Sequence, residues 1–145
     1  MENYLLAKWT GSGAPVANTT VGGMVSVAEN ATLTVAGGAP LTVGSLSGGG
    51  AITGDVAADG FEVTVKPNGT ADKLTVDGTM TFASGAFLQV NNPEYLANNN
   101  FVTFLEATGI AGTFAGSNLT RPCGWRLGNG CGQVFRSNGF AIIFR

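Results

Sequence analysis

Apolar and small polar residues alternate with a period of two along the middle of this chain. Leu33-Thr34-Val35 recurs as Leu41-Thr42-Val43 and as Leu74-Thr75-Val76, with Val63-Thr64-Val65 as a variant; Val25-Ser26-Val27 precedes them and Met80-Thr81-Phe82 follows. Each triplet puts two apolar side chains on one face and a small hydroxyl on the other, the pattern of a short strand with one face in a core. Between the triplets stand Glu29-Asn30, Gly37-Gly38-Ala39-Pro40, Gly48-Gly49-Gly50, Asp59-Gly60, Pro67-Asn68-Gly69 and Asp77-Gly78. Such residues supply the fixed or positive φ angles that turns need. No window carries a 3.6-residue apolar period, so very little helix is predicted.

Two all-β architectures fit this pattern. In a parallel β-helix, or β-solenoid, each triplet is a short rung that stacks on the next by parallel pairing, and the apolar pairs form a continuous interior column. In an antiparallel β-sandwich the same segments pair as hairpins. Strand shortness and the reuse of one triplet favour the solenoid.

The chain reads as a single all-β domain over residues 1–145, with repeated short strands over about 20–90 and an aromatic-rich capping region over about 91–145. The cap holds Tyr95, Phe101, Phe104, Phe114, Trp125, Phe135, Phe140 and Phe144. Large side chains fill a wider core than Leu/Val pairs do, and an atypical terminal unit is the expected closure of a repeat array. Strands are predicted over 101–106, 133–136 and 140–144, and one helical turn at Glu94-Tyr95-Leu96 between Asn-rich loops.

Composition removes several functions. Lys and Arg total 7 against 9 Asp and Glu, which leaves no basic stripe for nucleic acid. Charged residues reach only 11%, so self-repulsion does little to keep copies apart. No apolar run is long enough for a membrane span. Residues 1–13 lack a basic start followed by an apolar run, so an export signal is expected to lie outside this numbering.

The chain has no histidine, which rules out Ser-His and Cys-His nucleophile pairs. It also leaves Cys123 and Cys131 as half a zinc site. Carboxylate catalysis is the remaining enzymatic route, with Asp55, Asp59, Glu62, Asp72 and Asp77 as candidates beside Lys66 and Lys73. Their places in turns and at strand ends read more simply as solvated charge, and no enzyme, metal or cofactor is expected. Asp55 and Asp59 do not recur with the period of a calcium-binding solenoid. Gly48-Gly49-Gly50 is followed by neither Lys nor a helix signal, so it is not a phosphate loop. Sequons at Asn18, Asn30, Asn68 and Asn118 fall where turns already favour Asn.

Cys123 and Cys131 are predicted to form a disulfide, since paired cysteines in a chain of this character are commonly oxidised. The reading carries a geometric condition. A two-residue turn at Asn129-Gly130 would set Cys131 opposite Gly128 and Cys123 opposite Arg136, too far to bond; the bridge needs a turn centred nearer Leu127.

Lys8-Trp9-Thr10-Gly11, the Leu-Thr-Val units, Gly44-Ser45-Leu46-Ser47-Gly48-Gly49-Gly50, Gly112-Thr113-Phe114-Ala115-Gly116 and Gly124-Trp125-Arg126-Leu127 resemble autotransporter-associated β-strand repeats. That resemblance implies a right-handed parallel β-helix in a large bacterial surface or secreted protein. The expectation is therefore a non-enzymatic structural module of an extracellular or cell-surface protein. Its apolar ends, with Tyr4, Leu5 and Leu6 at one and Phe140, Ile142 and Phe144 at the other, would assemble copies into a homo-oligomer or fibre by strand addition. The alternative is a carbohydrate-binding, adhesin-like surface module. Its aromatic platform would draw on Tyr4, Trp9, Tyr95 and Trp125, with amides from residues 91–100.

Overall fold

The computed structural model describes residues 7–9, 20–35 and 40–137. Its strands are β1 (Ala7–Trp9), β2 (Thr20–Val27), β3 (Thr32–Thr34), β4 (Leu41–Gly48), β5 (Ala51–Thr53), β6 (Val56–Thr64), β7 (Leu74–Asn91), β8 (Asn100–Ala111), β9 (Gly116–Ser117), β10 (Cys123–Gly128) and β11 (Cys131–Arg136). A single 3-10 turn at Pro93–Tyr95 is the one helical element among the described residues. The chain is all-β, as its alternation requires.

All six triplets bury their two apolar residues and turn the hydroxyl residue outward or to partial exposure. The partners differ from those expected, however. Leu33 pairs with Ile52, and Leu41 with Val56; successive triplets are not neighbours. The reason is chain reach. A parallel pair needs a crossover of about a dozen residues or more, and the short turn between Leu33-Thr34-Val35 and Leu41-Thr42-Val43 cannot supply one.

Pairing in the larger sheet is parallel and runs in three series. The first is Val25–Leu46–Phe61–Leu88–Ser117. The second is Leu33–Ile52–Val76–Ala107, and the third is Leu41–Val56–Met80–Ile110. From Val25 through Leu88 every member is buried, and no polar or charged residue among the described ones is. Apolar residues thus stack directly on apolar residues through the buried part of each series, where burial of apolar area contributes about 25 cal/mol per Å².

The long strand β7 keeps one alternation from Leu74 to Val90, with the buried position left unfilled at Gly78 and Ser84, and its registers shift near both places. Asp59-Gly60 and Asp77-Gly78, which the sequence marks as tight turns, are therefore corners inside continuous strands. Asp55 fastens one of them: its Oδ1 accepts the Thr79 N–H at 2.9 Å. At the far edge the Asn118 side chain replaces a strand residue, accepting the Val90 N–H at 2.7 Å and donating to the Val90 carbonyl at 2.8 Å.

Several aromatic side chains after residue 100 pack on the core and on one another. Phe61 meets Phe104 at 5.1 Å, Phe82 meets Phe114 at 4.4 Å, and Phe114 meets Trp125 edge-on at 5.1 Å. The hairpin of β10 and β11 lies along β8, held by Asn99 N–H to the Arg136 carbonyl and Ala107 N–H to the Gly130 carbonyl.

That hairpin corrects the disulfide expectation. It turns on Asn129-Gly130, with φ of 52° and 75°, and pairs Gly128 with Cys131 and Cys123 with Arg136. Directly opposed residues share a face, so the two thiols lie on opposite faces of the ribbon and about five residues, roughly 17 Å, apart along it. Both cysteines are free. A reducing agent should accordingly leave the thermal midpoint unchanged, and a thiol reagent should titrate both cysteines in unfolded, unreduced protein. A drop equivalent to about 2–3 kcal/mol on reduction would mean a bond is present after all.

Candidate functional site

The residues singled out in the sequence scatter. Tyr4, Leu5, Leu6, Phe140, Ile142 and Phe144, the expected assembly residues, lie outside the described residues, as does the side chain of Trp9. Trp125 is partly buried, packed against the core with its ring edge-on to Phe114. Of the proposed aromatic platform, Tyr95 is exposed, and Tyr4 lies outside the described residues.

The carboxylates are mostly engaged. Asp72 Oδ1 meets Lys66 Nζ at 2.7 Å, and Glu106 meets Lys73 Nζ at 3.1 Å. The first contact, chiefly its hydrogen bond, holds the Lys66 ammonium above the usual lysine range. Glu62 Oε2 accepts the Asn91 Nδ2 amide at 2.6 Å. Among the described residues no three Cys, Asp or Glu side chains converge as a metal site would require.

An open depression of about 270 Å³ lies over the outward side of the first series. Ser26, Ser47, Glu62, Thr64 and Asp72 line it. Both of its carboxylates have partners within the chain: Glu62 receives Asn91, as does Thr64, and Asp72 receives Lys66.

The face shared by the hairpin and β8 is different. On β8, Val102 and Phe104 point inward, which turns Phe101 and Thr103 outward. On the hairpin, Val134 is buried and Gly132 backs onto the Phe104 ring, which sets Arg126, Gln133, Phe135 and Cys131 on the opposite, outer face. Phe101 is 45% exposed, with the Phe135 ring 5.0 Å away and the Arg126 guanidinium 4.3 Å from its own ring centre. Arg126 Nε donates to Gln133 Oε1 at 2.8 Å, and Gln133 Nε2 donates to Thr103 Oγ1 at 3.0 Å. Beside this network is an open depression of about 410 Å³ lined by Arg126, Gln133, Asn129 and Cys131.

The guanidinium is thus fixed in plane and position by a stacked ring and an amide. Its Nε is used, while the Nη/Nη edge, which can form two parallel bonds with an anion, has no partner among the described residues. Reading the aromatics as core, as most are, passed over this face. The signal that marks it is the segregation of charge. Every lysine (Lys8, Lys66, Lys73) lies before Glu106, the last carboxylate side chain, and every arginine (Arg121, Arg126, Arg136, Arg145) after it. Lys66 and Lys73 each pair with a carboxylate, and among the described residues no arginine does.

In comparisons with known proteins, no family model, no curated protein and no solved structure matches this chain.

Proposed function

We propose that the chain is a non-enzymatic structural module of an extracellular or cell-surface protein, wound as a parallel β-helix and capped by its aromatic end. The observation that supports this is the order in which the chain visits the three series. Val25, Leu33 and Leu41 are followed by Leu46, Ile52 and Val56, then by Phe61, Val76 and Met80, then by Leu88, Ala107 and Ile110, and finally by Ser117. The cycle is the same on every pass. Each return to a series has crossed the other two, which provides the long crossover that parallel pairing demands. An interior built only of stacked apolar side chains favours rigidity over chemistry.

A wound sheet ends in rows of backbone donors and acceptors at its first and last turns, where another chain can add a strand. The apolar residues Tyr4, Leu5 and Leu6, and Phe140, Ile142 and Phe144, are what the sequence supplies for that addition. Head-to-tail growth into a fibre is the expected result. Light scattering should detect particles that enlarge with concentration, and removal of residues 1–7 should abolish the growth. A monodisperse 14.7 kDa particle at high concentration would end the assembly reading. Release of reducing ends from a polysaccharide would end the structural one.

A further inference from the structure

We infer that the outer face of the hairpin and β8 is a binding site for a carboxylated sugar, a uronate residue of an acidic polysaccharide. The inference stands apart from the structural role, since a module can be both rigid and adhesive.

Three features of the face match three features of such a ligand. A sugar ring carries an apolar C–H face, and Phe101, which stays 45% exposed beside Arg126 and the half-buried Phe135, offers an aromatic surface that a pyranose can cover. A carboxylate on C5 accepts two parallel hydrogen bonds, and the Nη edge of Arg126 is the matching donor. Ring hydroxyls need partners that both donate and accept; Asn129 borders the depression beside Arg126, and Gln133 there keeps one N–H and one lone pair beyond its bonds to Thr103 and Arg126.

The arginine is also organised beforehand. Stacking on Phe101 and bonding to Gln133, itself held by Thr103, removes most of the rotamer freedom that an arginine otherwise loses on binding. A merely solubilising cation has no need of such support. Among the described residues no carboxylate pairs with it, and Glu106, the nearest in sequence, is engaged by Lys73. Phosphate or sulfate would satisfy the guanidinium but would leave the aromatic surface unused, which is why a sugar acid is the better fit.

The test is calorimetric titration of the whole chain with an oligogalacturonate and with its methyl ester, which keeps every ring but removes the charge. The acid form should bind and the ester should bind at least tenfold more weakly. Arg126→Gln should weaken the acid form tenfold or more, and Phe101→Ala should weaken both forms. Arg126→Lys should not restore affinity, because an ammonium lacks the fork. Cys131 supplies an independent readout in the unmodified protein. It borders the depression, whereas Cys123 lies on the other face of the hairpin. Bound oligogalacturonate should slow alkylation of Cys131 and leave Cys123 unaffected. The proposal fails if the acid form does not bind or if the ester binds equally well. It also fails if Arg126→Gln keeps full affinity, if inorganic polyphosphate competes as effectively per charge, or if Cys131 is not protected.

Discussion

Phe61→Ala should cost about 3–5 kcal/mol of folding stability, the range seen when a buried aromatic is cut back and the site cannot collapse around the gap. The reason lies in where the ring sits. Phe61 is almost fully buried, Leu46 and Leu88 flank it on the adjoining strands of its series, and its ring meets Phe104 at 5.1 Å. It therefore joins the first series to the Phe104 ring of β8. Its neighbours belong to paired strands whose hydrogen bonds fix their spacing, so the backbone cannot close in. Against a total stability of about 5–15 kcal/mol for an ordinary domain, a loss of that size removes a large share. Denaturant titration followed by far-ultraviolet circular dichroism should show the midpoint fall sharply. Phe87→Ala is the control. Phe87 is 44% exposed on the other side of the same sheet, and its removal should change stability by no more than about 0.5 kcal/mol. If the two variants unfold together, the described interior is wrong.

What the sequence made legible follows a simple division. Which side of a strand faces inward depends on neighbours two residues away, and Leu41-Thr42-Val43 states it without ambiguity. Which strand lies beside which depends on residues far along the chain, and Leu-Thr-Val looks the same wherever it occurs. The reused triplet, the strongest sign of repetition, was for that reason silent about register. Ala51-Ile52-Thr53, the actual neighbour of Thr32–Thr34, does not resemble the triplets closely enough to be picked out.

The corners were misleading for a related cause. Asp-Gly marks a change of direction, but the change at Asp77-Gly78 is a bend within β7 rather than a reversal, because the strand keeps its parallel partners on both sides. At Asn129-Gly130 the same chemistry does make a reversal, and there the turn signal should have outweighed the even number of cysteines. The Arg126 face was hidden by a reasonable habit. An aromatic residue at strand spacing is read as core, yet alternation puts Phe101 outside precisely because Val102 and Phe104 are inside.

Gly48→Ala should be the most damaging change of a single methyl group, with an expected loss of about 2–4 kcal/mol. Gly48 is opposite Val27 in the parallel register and has a φ of +121°, which a side-chain-bearing residue rarely adopts. A methyl group there would run into the Val27 carbonyl oxygen and lie 2.7 Å from the Val27 nitrogen. These are backbone atoms, so no rotamer change can relieve the clash. The same oxygen accepts the N–H groups of both Gly49 and Gly50 at 3.0 Å, and the Gly50 carbonyl in turn accepts the Thr75 N–H at 3.1 Å. Pushing Val27 aside thus disturbs the connection from the first series to the second and the strand stacked above it. Gly85→Ala isolates this cause. A methyl group on Gly85 meets nothing within 4 Å and its φ is not in the left-handed region, so the substitution should be neutral or stabilising by up to about 1 kcal/mol through the unfolded chain. Thermal melts of the two variants should move apart, Gly48→Ala downward and Gly85→Ala not. Equal melting would show that the backbone at Gly48 has freedom to yield, and that close approach between strands is not what sets this corner.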